Sequence, residues 1–313
     1  MPYQVAIYVL YAAFLYAFII IVTAFAIAAR IPEKHNVPVV IAMKIISFNV
    51  NGLRARPHQM AELIKTHAPD VIGIQEIKVH DDEFPVAMIE DLGYHVDYHG
   101  QKGHYGVCLI SKKPALNIQK GFATDATDAQ RRMIIGQYES DQGNKITVLN
   151  GYFPQGENIN HETKFPAKKK FYEDLQIHLN THCAASDHVI VMGDLNISSQ
   201  DMDIGIGEPN RKRWLKTGKT SFQPIEREWL ATLLSWGLKD TYRLHHPEAD
   251  QRYSWFDYRS RGFADEPKRG LRIDAVLVTD SLYALCSAAA IDYEIRAMEK
   301  PSDHAPIWAE FDI

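Results

Sequence analysis

The chain has 313 residues, 46% of them apolar and 23% charged, with a formal net charge of −5. That balance excludes a disordered or fibrous chain and leaves room for one large α/β domain with a sizeable core. The negative total argues against non-specific nucleic-acid binding, so any such contact must come from local basic patches and from metal ions that offset acids. From residue 2 to residue 29 no side chain is charged, and residues 5–29 are almost wholly apolar or aromatic. This run exceeds the ~20 residues that cross a bilayer core as a helix. Arg30 and Lys34 follow it, which by the positive-inside rule places the rest in the cytoplasm, tethered to the inner face of a membrane. The competing reading is an in-frame extension upstream of Met43 that the working protein lacks. Both readings give the same division: an apolar N-terminal segment at 1–42, with membrane contact through residues 3–29 in the first of them, and a folded domain at 43–313.

Beyond residue 39 the pattern changes. Residues 44–49 (KIISFN) and 71–75 (VIGIQ) are short runs rich in β-branched residues, each ending on a polar residue, and both predict strands. Between them, residues 58–67 carry apolar positions at helical spacing and stop before Pro69, which a helix does not run through. Residues 106–111, 133–138, 145–150 and 188–192 predict further strands, and 167–183 and 224–236 predict helices. Residues 271–278 (LRIDAVLV) and 305–311 (APIWAEF) predict the closing strands. Strands this numerous, with helices interspersed rather than alternating, point to two packed sheets covered by helices and not to a doubly wound parallel sheet. Cys108, Cys183 and Cys286 have no CxxC spacing and an odd count, the usage of reduced thiols in a cytosolic protein.

Chemistry is expected where apolar strands end in acids and amides, since a sheet holds such groups in fixed positions. Five places qualify: Asn49, Glu76, the pair Asp194 and Asn196, Asp274, and Asp303 with His304. A single polar residue after a strand is usually a turn or cap. Asp274 differs, because a carboxylate among apolar neighbours must be paired or shifted in pKa, and His304 is the expected partner. Together the groups offer hard oxygen ligands suited to Mg²⁺ or Mn²⁺. A serine hydrolase would need a GxSxG elbow and a nucleotide hydrolase a P-loop. The sequence has neither.

The blocks SFNVNGLRAR (47–56), GIQEIKVHDD (73–82), YHGQKGHYGV (98–107), NGYFPQGE (150–157), GDLN (193–196), DIGIGEPNRKRWL (203–215), SWFDYRS (254–260), RGLRID (269–274) and EKPSDHAP (299–306) resemble exonuclease III throughout residues 43–313. The resemblance implies a DNase I-like fold, a four-layer α/β sandwich of two packed mixed sheets flanked by helices, here preceded by an apolar N-terminal helix. It implies action on double-stranded DNA as a Mg²⁺-dependent 3′→5′ exonuclease, and the lack of an oligomerisation signal in the sequence suggests a monomer. Incision at abasic sites and removal of 3′ blocks, in base excision repair, belong to the same implied activity. By the same resemblance Glu76 is the principal metal ligand with Asn49 and Asp303, and Asp194, Asn196 and His304 complete the metal set. Asp194 would handle the proton of the attacking water or leaving oxygen, Asn196 and Tyr152 would hold the phosphate, and His304 oriented by Asp274 would donate to it.

The DNA contacts expected are Arg131, Gln155, Arg211, Trp255, Phe256, Leu271 and Ile273, and the resemblance implies that Trp255, Leu271 and Ile273 form an apolar pocket for a base-less sugar. The lysine run at 168–170 is read as a solvated face. One departure is visible: the family usually has Thr after the ligand Glu, and this chain has Ile77, which removes a hydroxyl next to the ligand. Two alternatives stand beside this reading. A phosphoinositide or sphingomyelin phosphodiesterase of the same fold would suit a membrane segment, but 269–274 reads RGLRID and not PxWxDR. A non-catalytic, membrane-tethered DNA-binding module should have lost one of Glu76, Asp194, Asp274 or His304, and all four are present.

Overall fold

Strand alternation explains how the molecule is layered. The computed structural model describes residues 42–248 and 251–313; the apolar run at 5–29 lies outside them. In β1 (Ala42–Asn49) Ile45 points into one apolar cluster while Ile46 and Phe48 point into another, the period of two that a pleated strand imposes. The same holds in β2 (Val71–Gln75), where Val71 faces the first cluster and Ile72 and Ile74 the second. A chain patterned in this way must cover both faces of its sheets.

The strands that follow are β3 (His95–His99), β4 (Val107–Ser111), β5 (Asn117–Lys120), β6 (Met133–Glu139), β7 (Lys145–Tyr152) and β8 (His188–Asp194). The last four are β9 (Leu238–Asp240), β10 (Asp274–Thr279), β11 (Cys286–Ile291) and β12 (Ile307–Asp312). They form two six-stranded sheets, ordered β11-β12-β1-β2-β4-β3 and β5-β6-β7-β8-β10-β9. Each sheet has one parallel pair at its centre, β1 with β2 and β7 with β8, and is otherwise antiparallel.

Between the sheets lies a core that includes Ile45, Leu109, Val148, Ile190, Val276 and Phe311. Helix α1 (Pro57–His67) covers the outer face of the first sheet through Met60, Leu63 and Ile64. Helix α2 (Lys164–His182) covers the second sheet through Phe171, Leu175 and Leu179, and α4 (Pro224–Ser235) joins it through Leu230 and Leu233. Helix α3 (Glu208–Thr217) precedes α4. The result is helix, sheet, sheet, helix, the four-layer sandwich expected.

The predicted elements lie within a few residues of those observed, with one displacement. Residues 271–273 are not part of β10; Leu271 instead makes isolated bridges to Ile204 and Trp255, and the strand starts at Asp274. The three cysteines are free thiols. Among the described residues, no helix is long and apolar enough to cross a membrane.

Candidate active site

Both central parallel pairs run toward the same edge of the sandwich, so their carboxyl ends deliver polar residues to one place. Asn49 ends β1, and Glu76 follows β2, whose last residue Gln75 pairs with Asn49. Tyr152 ends β7 opposite Asp194 at the end of β8. In β10, running antiparallel, Asp274 stands opposite Asp194. One residue before these ends β7 and β8 meet through Gly151 and Gly193. Gly193 has φ +144°, and a Cβ there would lie 1.9 Å from the Gly151 carbonyl oxygen. Only glycine allows this approach.

Beneath the site a polar bridge joins the sheets. Gln75 Nε2 donates to Asn150 Oδ1 (2.6 Å) and Ser47 Oγ (3.0 Å), and Asn150 Nδ2 donates to the carbonyls of Ile74 and Cys108. All three side chains are buried. Their hydrogen bonds fix the register of one sheet on the other, since a slip would leave buried polar groups unpaired.

At the edge itself, Asn49 Nδ2 donates to Glu76 Oε1 and to Asp194 Oδ2, both at 3.0 Å, and so links the two halves. His304 Nδ1 meets Asp274 at 2.9 Å, and its Nε2 lies 3.7 Å from Asp194 Oδ2. Ser302 Oγ donates to the Asn49 carbonyl and accepts from the His304 amide, which seats the turn before β12. Asn51 Nδ2 donates to Asp303 Oδ1 (2.8 Å), Trp255 Nε1 donates to Asp303 Oδ2 (3.1 Å), and Lys78 Nζ pairs with Glu76 (2.9 Å) while also donating to Asn51. Asn51, Glu76, Lys78 and Asn196 all have positive φ, between 50° and 56°. Such strain in residues other than glycine persists where the surroundings over-determine it and clusters at functional sites.

The electrostatics are those of a site poised for proton transfer. Burial raises the Asp194 carboxyl pKa above its usual range, and the facing Asp274 and Glu76 add to this against the pull of His304. For His304 burial opposes the charged ring, but Asp274 and Asp194 outweigh it and raise its pKa, so the ring is an imidazolium at neutral pH. Burial, then the Glu76 carboxylate, holds Tyr152 well above the ordinary phenol range, so it keeps its proton and can donate. Arg132 stacks on Tyr152 with its guanidinium carbon 4.6 Å from the ring centre, and at the same distance on Tyr105. Four carboxylates, Glu76, Asp194, Asp274 and Asp303, stand here against three cations, Lys78, His304 and Arg132. With carboxylate oxygens and no thiolate in the cluster, that excess fits a hard divalent cation.

The structure thus brings Asn49, Glu76, Tyr152, Asp194, Asn196, Asp274, Asp303 and His304 together, and Lys78, Asn51 and Arg132 join them, none of which was among the site residues expected. Lys78 and Asn51 lie inside the recognised blocks, one residue beyond Ile77 and two beyond Asn49. Arg132, and not its neighbour Arg131, stacks on the site tyrosine. Arg131 is turned to Asp81 (2.6 Å) and the Gly100 carbonyl, and Arg211 to Asp201 and Glu208. Gln155 is exposed on the rim of a groove that Arg132, Tyr152 and Lys164 also line.

Phe256 requires a correction. It is fully buried and packs edge-on against Phe263, Tyr253 and Tyr293, so it is a core residue and cannot touch DNA. Leu271 and Ile273 are also buried, in a cluster with Trp214 and Phe222 against which the half-buried Trp255 packs. The lysine run is corrected at its first position: Lys168 is wholly buried, while Lys169 and Lys170 are exposed. Ile77 is buried in the outer apolar cluster with Phe48 and Val79.

Comparison with known proteins agrees with this geometry. The pattern of the Endonuclease/Exonuclease/phosphatase family matches residues 46–304. The exodeoxyribonuclease III of Haemophilus influenzae is 58% identical over 269 residues, covering 86% of this chain and all of the relative. Among solved structures, an AP endonuclease from Archaeoglobus fulgidus aligns with a TM-score of 0.79 and 33% identity, over 87% of this chain and 100% of that one. The 3′ phosphatase NExo from Neisseria, bound to a product DNA hairpin, aligns with a TM-score of 0.77 and 34% identity over the same shares. On this similarity, and on acids and amides gathered at the carboxyl ends of two packed sheets, the chain belongs to the endonuclease/exonuclease/phosphatase family, on its exodeoxyribonuclease III branch, and is a phosphodiester-hydrolysing nuclease.

Proposed function

We propose that the chain hydrolyses phosphodiesters of double-stranded DNA, as a 3′→5′ exonuclease that also incises abasic sites and clears 3′ blocks. The observation that carries this reading is the link from Glu76 through Asn49 to Asp194 and His304, which places acid, donor and ligand groups from both sheets within reach of one phosphate. Glu76, with Asn49 and Asp303, would hold Mg²⁺ or Mn²⁺. Such an ion, when bound, neutralises phosphate charge as the in-line displacement proceeds.

The remaining work falls to the chain itself. Asp194, with its raised pKa, takes the proton of the attacking water or returns one to the leaving 3′-oxygen. His304 is an imidazolium whose ring nitrogens both face carboxylates, so we assign it to the phosphate as a donor rather than to the metal. Asp274 keeps that ring oriented and charged. Asn196 gives one amide hydrogen to the Phe153 carbonyl (2.9 Å) and has a second for a phosphate oxygen. Tyr152, protonated and stacked on Arg132, is a further donor. Fixed donors of this kind stabilise charge that develops in the transition state.

Residues 43–313 are assigned as the catalytic domain. The expected result is that residues 43–313 alone nick a duplex carrying one abasic site and shorten a recessed 3′ end, both in Mg²⁺. Gel analysis of labelled strands reads both activities. Cleavage of sphingomyelin or an inositol phosphate, with intact DNA, would favour the lipid-directed branch of the fold instead.

A further inference from the structure

Lys168 is unusual for its type: its side chain has no exposure, and neither does that of its partner Glu226. Lysine is almost never fully buried unless paired, and the loss of hydration must be offset by every donor it carries. An ammonium has three donors. Here they go to Glu226 Oε1, to the Asn196 carbonyl at 2.9 Å and to the Gln155 carbonyl at 3.3 Å. Two of these three acceptors are main-chain oxygens of the two segments that leave the site. Gln155 lies three residues beyond Tyr152 on the exit from β7, and Asn196 two beyond Asp194 on the exit from β8. Asn196 has φ +53°, a conformation that needs outside support in a residue other than glycine.

Glu226 is anchored in turn. Its second oxygen accepts from the amides of Ser221 and Gln223, both at 2.8 Å, at the start of α4. The clamp therefore runs from α2, which carries Lys168, through both site segments to the turn between α3 and α4. Tyr172, one turn further along α2, adds a hydrogen bond to the Leu195 carbonyl at 2.8 Å. We propose that Lys168 is a positioning residue for the reaction: its buried ammonium ties the Tyr152–Gln155 and Asp194–Asn196 segments together and so fixes where Tyr152 and Asn196 meet the phosphate. The inference rests on the assignment of Tyr152, Asp194 and Asn196 to that phosphate.

The test compares variants of the full chain, with rates taken per folded molecule below each variant's unfolding temperature. Lys168→Met alone would strand a buried carboxylate, so the informative variants are Lys168→Met/Glu226→Gln and Lys168→Gln/Glu226→Gln, which neutralise the pair while an amide oxygen still caps Ser221 and Gln223. Glu226→Gln alone removes the counter-charge but leaves the Lys168 amine its two carbonyl acceptors, and should keep a rate well above that of the double variants. Each double variant should lose about 10²-fold in kcat, the scale of a misplacement near 1 Å, with KM for duplex DNA little changed. The same fall should appear in single-turnover rates. A folded double variant with kcat within threefold of Glu226→Gln overturns the proposal and leaves Lys168 a stabilising residue only. Failure of both doubles to fold while Glu226→Gln folds and is active likewise reduces Lys168 to a folding role. Asp194→Asn serves as the control: if it stays active, the site assignment itself fails; if it is inactive and the doubles are not, only the clamp does.

Discussion

Asp194→Asn is expected to lower kcat by about 10³-fold, within the range that a positioned general acid or base contributes, while duplex DNA affinity stays close to that of the parent. The residue is only 2% exposed, and its side chain accepts from the Asn49 amide and from its own loop at the Asn196 amide. An isosteric amide keeps the shape of the site but can neither take nor return a proton. Stability should move the other way. Burial and the facing carboxylates raise the pKa of Asp194, so ionising it costs the folded state stability as pH rises above its unfolded pKa. Removing that charge offsets the donor–donor contact that the new amide nitrogen makes with Asn49 or the Asn196 amide, so the unfolding midpoint should stay close to the parent's or rise, the trade between stability and activity typical of active sites. Rapid-quench cleavage, DNA anisotropy and thermal unfolding on one preparation separate these effects. A variant that cleaves at the parent rate would remove Asp194 from the chemistry.

The second large effect concerns stability alone. Asp203, with no exposure, accepts from Arg272 Nε (2.7 Å) and Nη2 (3.1 Å), from Arg243, and from the Gln200 amide. Arg272 is itself buried and also pairs with Asp240 at 2.8 Å. Asp203→Ala should therefore destabilise the fold by about 3–5 kcal/mol, the cost of leaving a buried charge without its partner. The pH dependence has a definite sign. Burial works against the charged carboxylate, but Arg272 and Arg243 hold its pKa down to about 2. A depressed acid stabilises above its unfolded pKa of ~3.9 and loses that contribution as pH falls through the folded value. The gap between parent and Asp203→Asn in urea denaturation should thus be full at pH 5 and shrink between about pH 4 and pH 2. A gap that stays constant over that window would contradict the pairing.

Much of this site was legible because its residues interrupt apolar patterns. Asn49, Glu76, Asp194 and Asp274 each stand at or next to the end of a β-rich run, and a carboxylate such as Asp274 in that setting needs a partner. The sheets were legible for the same reason, except where the pattern is weak: β3 (HVDYH) is half-exposed and polar, β5 (NIQK) short, and β11 (CSAAAI) rich in alanine. Lys78 and Asn51 escaped notice because nothing local marks them, and Arg132 because its neighbour Arg131 is an equal candidate; each acts through a partner distant in the chain, Lys78 with Asn51, Asn51 with Asp303 and Arg132 with Tyr152. Phe256 and Lys168 misled in opposite ways. An aromatic in a polar segment looked like a surface contact, and a lysine in a basic run looked solvated. Only packing decides such cases, since the Tyr293 ring against Phe256 and the carboxylate awaiting Lys168 come from segments far away in sequence.

The most direct test of the whole account is cleavage of a 3′-recessed duplex by the purified chain, titrated first with EDTA and then with Mg²⁺. Four carboxylates gathered around Asn49 and His304 predict loss of cleavage in chelator and its return with the added ion, saturating at a defined concentration. An equal rate in EDTA, with the Asp194→Asn variant equally active, would contradict the assignment of this site as a metal-dependent nuclease.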